Sequence, residues 1–264
     1  MYALLGATLK HSISPQIHER IFREYGLEER YILLERTAEQ LEATVKNRQY
    51  KGFNVTIPYK VQVLPYLDEL SPEAAQIGAV NTIEYRRGRI IGHNTDYWGF
   101  DELLQYNSID VTGQTAVILG FGGSTKMVAA YLHNHAAKQI DVVSRAAADK
   151  KPLDGTKLID YAQLRELEAP DIVINTTPNG MYPHIDSSPL AQELLAKFKT
   201  AVDLIYNPAQ TLFLKSAEAR GLKTANGLRM LISQAVYAQE IWQERKLSKS
   251  SIQKIITEIG KIYE

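Results

Sequence analysis

The chain of 264 residues contains no cysteine. Disulfides, thiolate nucleophiles and thiolate metal ligands are therefore excluded. It also lacks a net charge, because its 30 lysines and arginines are balanced by 30 aspartates and glutamates. Nucleic acids and membrane surfaces bind clustered basic charge, so this balance argues against both as partners.

Long apolar runs are absent as well, and none approaches the roughly 20 residues needed to span a bilayer. The first residues, MYALLG, have no basic segment before the apolar ones. They predict a core strand rather than a signal peptide. We therefore expect a cytoplasmic protein, long enough for one large or two medium domains.

Short apolar, β-branched runs alternate with helical patterns, which predicts βαβ units and mostly parallel sheets. The predicted strands are 2–6, 31–35, 52–57, 80–85, 89–94, 115–120, 139–144, 171–176 and 200–205. The predicted helices are 15–26, 38–49, 97–106, 123–136, 190–198, 210–220, 227–246 and 249–263. The polar residues 107–113 separate a helix from a new strand and are a candidate domain boundary.

The segment 54–60 reads NVTIPYK and predicts a strand followed by a helix. Strand alternation places Asn54 and Thr56 on one face. Pro58 suits the first position of a helix. Lys60 then falls in the first helical turn, where the helix dipole disfavours a cation. A lysine placed against this preference indicates a chemical role.

A glycine-rich turn joins the strand at 115–120 to the helix at 123–136. Gly120 permits a tight turn, while Gly122 and Gly123 let the backbone approach a pyrophosphate at the helix N-terminus. Thr125 stands where the usual pattern has its third glycine. This order of strand, turn and helix predicts a dinucleotide site.

The strand at 139–144 bears on the choice of dinucleotide. NAD sites usually have an acidic residue at the end of this strand, where it binds the ribose 2′-hydroxyl. The only acidic residue here, Asp141, lies early in the strand, with Val142 and Val143 still to follow. The strand ends instead in Ser144 and Arg145, with Lys150 and Lys151 following. A guanidinium there can bind a 2′-phosphate, so the sequence favours NADP.

Residues 79–96 predict a hairpin that turns at Arg87 and Gly88. With a two-residue loop, Asn81 faces Asn94, and Asp96 follows on the same strand face as Asn94. The three polar side chains would then cluster at the open end of the hairpin. The alternative is that these are turn and capping residues, with Thr95 or Asp96 capping the helix that follows.

Seven short segments together resemble the shikimate dehydrogenase family over essentially the whole chain. They occur in the family's order: HSISP at 11–15, NVTIPYK at 54–60, GAVNT at 78–82, NTD at 94–96, GFGG at 120–123, NTTPNGM at 175–181 and GLRMLISQ at 227–234. The resemblance implies the reversible, NADP-dependent reduction of 3-dehydroshikimate to shikimate, a step of aromatic amino-acid (chorismate) biosynthesis. It also implies a small-molecule substrate and a monomer or homodimer.

The resemblance also assigns site residues. It implies that Lys60 and Asp96 are the catalytic pair, and which of them transfers the proton stays open. A helix N-terminus disfavours the charged lysine, whereas a nearby carboxylate favours it. The alternative role for Asp96 is to orient Lys60 and to accept a hydrogen bond from a substrate hydroxyl. The implied substrate-binding residues are Ser12, Ser14, Thr56, Lys60, Asn81, Asp96, Tyr206 and Gln234. The implied cofactor-binding residues are Gly120, Gly122, Gly123, Ser144, Arg145, Thr177, Gly227 and Met230. For His11 we expect a structural role.

The implied fold is α/β, with an N-terminal α/β substrate domain at 1–106, a Rossmann-like dinucleotide-binding domain at 107–234 and a catalytic cleft between them. The helices within 235–264 are expected to pack back on the first domain, since Ile252, Ile255, Ile256 and Ile259 form an apolar face.

The chain departs from the family pattern at Thr8, at Ser144 and Ala146, at Arg229 beside Met230, and at Leu212. Rival hypotheses are a quinate/shikimate dehydrogenase with NAD or dual cofactor use, a non-catalytic ligand sensor, and a folate-linked dehydrogenase.

Overall fold

The computed structural model describes residues 1–10 and 12–262. Its strands, in chain order, are β1 (Tyr2–Gly6), β2 (Tyr31–Glu35), β3 (Gly52–Val55), β4 (Glu69–Leu70), β5 (Thr82–Arg86), β6 (Arg89–His93), β7 (Thr115–Leu119), β8 (Gln139–Val143), β9 (Lys157–Ile159), β10 (Ile172–Asn175), β11 (Thr200–Asp203) and β12 (Lys223–Ala225). Its α-helices are α1 (Ser14–Tyr25), α2 (Leu41–Val45), α3 (Pro72–Ile77), α4 (Thr95–Tyr106), α5 (Gly123–Asn134), α6 (Tyr161–Glu166), α7 (Leu212–Glu218), α8 (Leu228–Gln243) and α9 (Lys249–Gly260).

The chain divides into two compact units. It passes from the first unit to the second within α4 and returns to the first within α8. The first unit comprises Met1–Gly99 and Ile232–Lys261, and the second contains Phe100–Leu231. The predicted limits, 1–106 and 107–234, differ from these units by several residues and stay a prediction. Among the described residues, no helix is long and apolar enough to cross a membrane.

The first unit is built on a mixed sheet in the order β2-β1-β3-β5-β6-β4. β1 pairs in parallel with β2 and β3, while β3–β5 and β5–β6 are antiparallel. Apolar side chains cover the sheet, and the largest buried set includes Leu5, Phe53, Val55, Val63, Val80 and Ile83. α9 packs against α1 with Ile255 and Ile259 buried, so the apolar face predicted for the last helix does find a partner surface.

The second unit contains a wholly parallel sheet in the order β12-β11-β10-β7-β8-β9. This is the doubly wound order, in which the strand sequence reverses between β7 and β10. Every residue of β10 and β11 is buried, as a sheet covered on both faces requires. A ligand in such a fold binds beyond the carboxyl ends of the strands at the reversal. Gly120 and Thr176 follow those two ends directly.

The helix predicted to begin at Pro58 is wrong. Residues 57–63 form consecutive turns, Leu64–Tyr66 form a 3₁₀ helix, and the Ile57–Pro58 peptide is cis. The carbonyl of Lys60 accepts a hydrogen bond from the Val80 N–H at 2.8 Å. The Lys60 carbonyl binds this distant residue, while the Leu64 N–H, its partner in a regular α-helix, donates to Val61 instead, and the chain continues as turns.

Other predicted elements need smaller corrections. The helix predicted at 38–49 is a 3₁₀ turn, Ala38–Gln40, followed by the short α2, and the helix predicted at 190–198 is a 3₁₀ helix, Gln192–Lys197. The short elements β4, β9, β12, α3 and α6 were not predicted, because elements of two to six residues are too short to show a period. The hairpin is confirmed in register, with Arg86 opposite Arg89.

Candidate active site

Lys60 and Asp96 form an ion pair in the first unit. The Lys60 Nζ lies 2.5 Å from the Asp96 Oδ2, and the two side chains are 28% and 20% exposed. Their positions differ from the predicted ones, because Lys60 lies in a turn and Asp96 lies in the first turn of α4 rather than on a strand face. The helix dipole therefore favours the carboxylate at its N-terminus and does not oppose the lysine.

The open end of the hairpin is buried and polar, as the sequence predicted. Asn81 and Asn94 are each 2% exposed. The Asn94 Nδ2 donates to the Ala79 carbonyl at 3.0 Å, and the Asn81 Oδ1 accepts from the Thr95 N–H at 2.7 Å. Asn81 thus satisfies the N-terminus of α4 one residue before Asp96.

Ser12 and Ser14 lie together at the start of α1. The Ser12 hydroxyl donates to the Ser14 Oγ at 3.1 Å, and the Ser14 N–H donates back to the Ser12 Oγ at 3.3 Å. Both side chains are partly exposed. His11 lies outside the described residues. Thr56 follows β3 with its N–H on the Leu5 carbonyl at 3.0 Å.

The glycine-rich turn of the second unit leaves room above the N-terminus of α5. A methyl group built on Gly122 or Gly123 would meet no atom within 4 Å, and α5 begins at Gly123. Gly120 adopts φ +121°, a backbone conformation that favours glycine. Open space beside helix N–H groups fits a pyrophosphate, so these residues suit the predicted dinucleotide.

Thr125, at the position of the usual third glycine, stabilises the turn through hydrogen bonds of its hydroxyl group. Its Oγ1 accepts from the Gly122 N–H at 3.0 Å and lies 2.8 Å from the Thr176 Oγ1. The Thr176 hydroxyl in turn donates to the Leu119 carbonyl at 2.8 Å. The threonine therefore fastens the turn to the loop that follows β10, a role that the glycine pattern alone did not reveal.

Ser144 and Arg145 follow β8, as predicted. Ser144 is buried and accepts from the Lys150 Nζ at 2.9 Å, whereas Arg145 is exposed. The Lys150 ammonium also lies 4.7 Å from the ring centroid of Phe121, between the glycines of the turn. The Lys150 ammonium thus stands beside the turn, where a cation favours binding of a phosphate group.

A groove of about 550 Å³ borders Arg145 and Thr177. Sequence reasoning assigned no role to several residues that line it, which come from the short helix α6, from the 175–181 segment and from the loop that follows that segment. The full lining is Arg145, Tyr161, Thr177, Pro178, Asn179, His184, Ser187 and Pro189.

A buried carboxylate, Asp203, organises the loops after β10 and β11. It accepts from the Thr211 hydroxyl at 2.7 Å and from the Asn175 Nδ2 at 2.9 Å. Burial raises the pKa of Asp203 to about 6, against the opposing effect of these donors. The Asn175 Oδ1 accepts from the Thr177 hydroxyl at 2.7 Å, so the network reaches a predicted cofactor residue. Tyr206 follows three residues later, half-buried, and burial raises its pKa as well.

Gly227 allows a close approach of two backbone segments. A methyl group on it would lie 2.0 Å from the Leu204 carbonyl oxygen, and its N–H donates to the Ile205 carbonyl at 3.0 Å. The glycine therefore fixes where α8 starts. Met230 and Gln234 lie one turn apart in that helix, both half-buried.

Arg229, a departure from the family pattern, is buried at 7% exposure. Its Nη1 lies 2.9 Å from the Glu102 Oε1, and its guanidinium lies 3.3 Å from the ring centroid of Tyr106. The side chain is thus held against the end of α4, which explains how a large cation is accommodated beside Met230.

Comparison with known proteins identifies the family. Residues 4–83 match the family model described as the shikimate dehydrogenase substrate binding domain. A relative from Clostridium beijerinckii named shikimate dehydrogenase (NADP(+)) is 42% identical in an alignment of 259 residues, and the alignment covers 96% of this chain and 95% of the relative.

Solved structures agree with the sequence relatives. A chorismate mutase/shikimate 5-dehydrogenase fusion protein from Clostridium acetobutylicum matches with a TM-score of 0.96 and 42% identity, covering 99% of this chain and 97% of that chain. The Thermus thermophilus shikimate 5-dehydrogenase in complex with NADP(H) and shikimate matches with a TM-score of 0.88 and 34% identity, covering 97% and 98%. The resemblance drawn from the seven segments and the two-part α/β fold are confirmed, and the chain belongs to the shikimate dehydrogenase family.

Proposed function

We propose that this chain catalyses the reversible, NADP-dependent reduction of 3-dehydroshikimate to shikimate, and so serves aromatic amino-acid biosynthesis. The observation that carries the proposal is the pair of Lys60 and Asp96 at 2.5 Å, formed by the two motifs that the family resemblance assigns to catalysis. The names of the full-length relatives support the substrate and the cofactor.

The proton is handled by Lys60 in this proposal. An ammonium group has three N–H donors, and Asp96 accepts one of them, which leaves two that can reach a substrate oxygen. During reduction, Lys60 gives a proton to the carbonyl oxygen as it becomes a hydroxyl; during oxidation, the neutral amine takes that proton back. Such proton transfer is typically worth about 10²–10⁴-fold in rate. Bound NADP supplies the hydride chemistry.

The remaining predicted residues bind and orient. We propose that the substrate is held by Ser12, Ser14, Thr56, Asn81, Tyr206 and Gln234. We propose that the cofactor is held by Gly120, Gly122, Gly123, Ser144, Arg145, Thr177, Gly227 and Met230. The open space above Gly122 supports the pyrophosphate position, and the exposed Arg145 supports the 2′-phosphate position.

The catalytic assignment is tested by Lys60→Met, with turnover measured for shikimate and quinate and with both NADP and NAD. We expect turnover of shikimate with NADP to fall by about 10²-fold or more, while NADP binding is retained, because only the proton-handling group is lost. Lys51→Met is the matched control, since Lys51 pairs with Glu29 elsewhere in the first unit. Near-normal turnover in Lys60→Met would remove the lysine from the mechanism.

The cofactor site is tested by Gly122→Ala. The added methyl group meets no protein atom and the backbone φ is −104°, so the fold should keep its stability. We expect weaker NADP binding by calorimetry, because the methyl group occupies space assigned to the pyrophosphate. Unchanged NADP affinity in a folded Gly122→Ala variant would place the dinucleotide elsewhere.

A cytoplasmic location and a monomeric or homodimeric state complete the proposal. Light scattering on the purified chain tests the second point, and a larger assembly would contradict it.

A further inference from the structure

A buried chain of polar side chains runs through the first unit and ends beside Asp96. It links Tyr31, Asn54, Thr82, Asn81 and Thr95. We propose that Thr82 and Asn81 are positioning residues, which hold α4 so that Asp96 meets Lys60. The role of that pair rests on the proposed function, whereas the positioning rests on the hydrogen bonds alone.

The direction of the hydrogen bonds is fixed by two backbone groups. The Thr95 N–H can only donate, so the Asn81 atom 2.7 Å from it is the amide oxygen. The Asn81 backbone carbonyl can only accept, so the Asn54 atom 3.3 Å from it is the amide nitrogen. Neither amide can be flipped without bringing two donors or two acceptors together.

The remaining bonds then follow one after another. The Tyr31 hydroxyl donates to the Asn54 Oδ1 at 2.7 Å, and the Asn54 Nδ2 donates to the Thr82 Oγ1 at 3.0 Å. The Thr82 hydroxyl donates to the Asn81 Oδ1 at 3.0 Å, which also accepts from the Thr95 hydroxyl at 3.2 Å. Thr82 and Thr95 are completely buried, so each bond lost would leave a polar group without water.

Residues 80 and 81 thereby hold both members of the catalytic pair. The Val80 N–H donates to the Lys60 carbonyl at 2.8 Å, while the Asn81 side chain holds the Thr95 N–H, next to Asp96. One short segment just before β5 therefore sets the backbone of the lysine and of the carboxylate. A catalytic group misplaced by about 1 Å can cost about 10²-fold in rate.

The same geometry fixes what Asn81 can offer a substrate. Its oxygen already accepts three hydrogen bonds, and none of these bonds uses its Nδ2. Asn81 can therefore only donate to the substrate, and the group that it recognises is an oxygen acting as acceptor.

The test compares Thr82→Val, which removes the hydroxyl, with Thr82→Ser, which keeps it. We expect Thr82→Val to lower kcat by about 10- to 100-fold, because Asp96 loses its fixed position. The KM for NADP should stay within about twofold, since the proposed cofactor residues belong to other elements, and Thr82→Ser should restore most of kcat. Thr44→Val, at a buried threonine of α2, is the matched control and should leave kcat unchanged.

Amide hydrogen exchange of Thr95 measures the positioning without substrate. We expect faster exchange in Thr82→Val and wild-type exchange in Thr82→Ser. This readout separates the positioning role of Thr82 from the proposed dehydrogenase activity, because it can be measured even if shikimate is not turned over. Unchanged Thr95 exchange in Thr82→Val, or altered exchange with unchanged kcat, would overturn the inference. If Thr82→Val does not fold, Tyr31→Phe takes its place, because it breaks the same chain at its far end.

Discussion

His18 should make the first unit sensitive to acid. Its imidazole is buried, stacks on Tyr31 with ring centroids 3.8 Å apart, and accepts from the Gln239 Nε2 at 2.9 Å. Burial lowers the pKa of His18 from 6.5 to about 3, with a smaller opposing effect of its hydrogen bond with Asn54. The folded chain therefore keeps this imidazole neutral at pH values where the unfolded chain protonates it.

The sign and the size of the effect follow from linkage. Between pH 6.5 and about 3 the unfolded state binds one proton more than the folded state, so stability falls as the pH falls through this window. Each pH unit within it costs about 1.4 kcal/mol. From pH 7 to pH 4.5, His18 should therefore remove about 2.7 kcal/mol from the free energy of unfolding.

The assay is urea unfolding of the wild type and of His18→Gln at pH 7, 5.5 and 4.5. Both tryptophans of the chain, Trp98 and Trp242, belong to the first unit, so their fluorescence follows that unit. His18→Gln loses packing at every pH, but its stability deficit relative to the wild type should shrink by about 2.7 kcal/mol between pH 7 and pH 4.5. His133→Gln, at an exposed position, is the control for loss of an imidazole. A deficit that stays constant with pH refutes the reasoning.

Two further predictions concern the second unit. Gly227→Ala should lower its stability by about 1–3 kcal/mol or more, because the new methyl group would lie 2.0 Å from the Leu204 carbonyl oxygen and backbone has to move; thermal unfolding at or above the wild-type midpoint would contradict this. Arg229→Met should cost about 1–3 kcal/mol in urea unfolding, because the ion pair with Glu102 and the contact with Tyr106 are both lost. Adding Glu102→Gln to Arg229→Met should recover part of that loss, and purely additive effects would show that the pair is not coupled.

The sequence was most informative where a signal is local. Arg87 and Gly88 both adopt positive φ, +50° and +83°, so the two-residue turn and the hairpin register followed from the turn residues themselves. The helix forecast from Pro58 failed for the opposite reason. Whether the chain continues as a helix there depends on the Lys60 carbonyl, and its partner, Val80, is twenty residues away.

The candidate site shows the same limit. The motifs indicated Lys60 and Asp96, but a helix was expected at the lysine, which lies in a turn. For the carboxylate, a strand face and a helix start were both open, and the structure shows the helix start. Thr125 appeared in the sequence only as a missing glycine, although its hydroxyl closes the turn against Thr176. The sequence did not indicate the structural roles of Asp203 and Thr82, since a buried hydrogen-bond network has no period in sequence.

The sequence by itself determined the alternating α/β pattern, the hairpin register, the glycine-rich turn and the family, because each depends on neighbouring residues or on short ordered segments. Only the tertiary structure decided which donor meets which acceptor. Hydrogen bonds such as those of Asn81 with Thr95 and of Lys60 with Val80 join residues distant in sequence, and burial makes each of them costly to leave unmade. The tertiary contacts therefore decided how Lys60 and Asp96 are held, while the sequence motifs had named both residues.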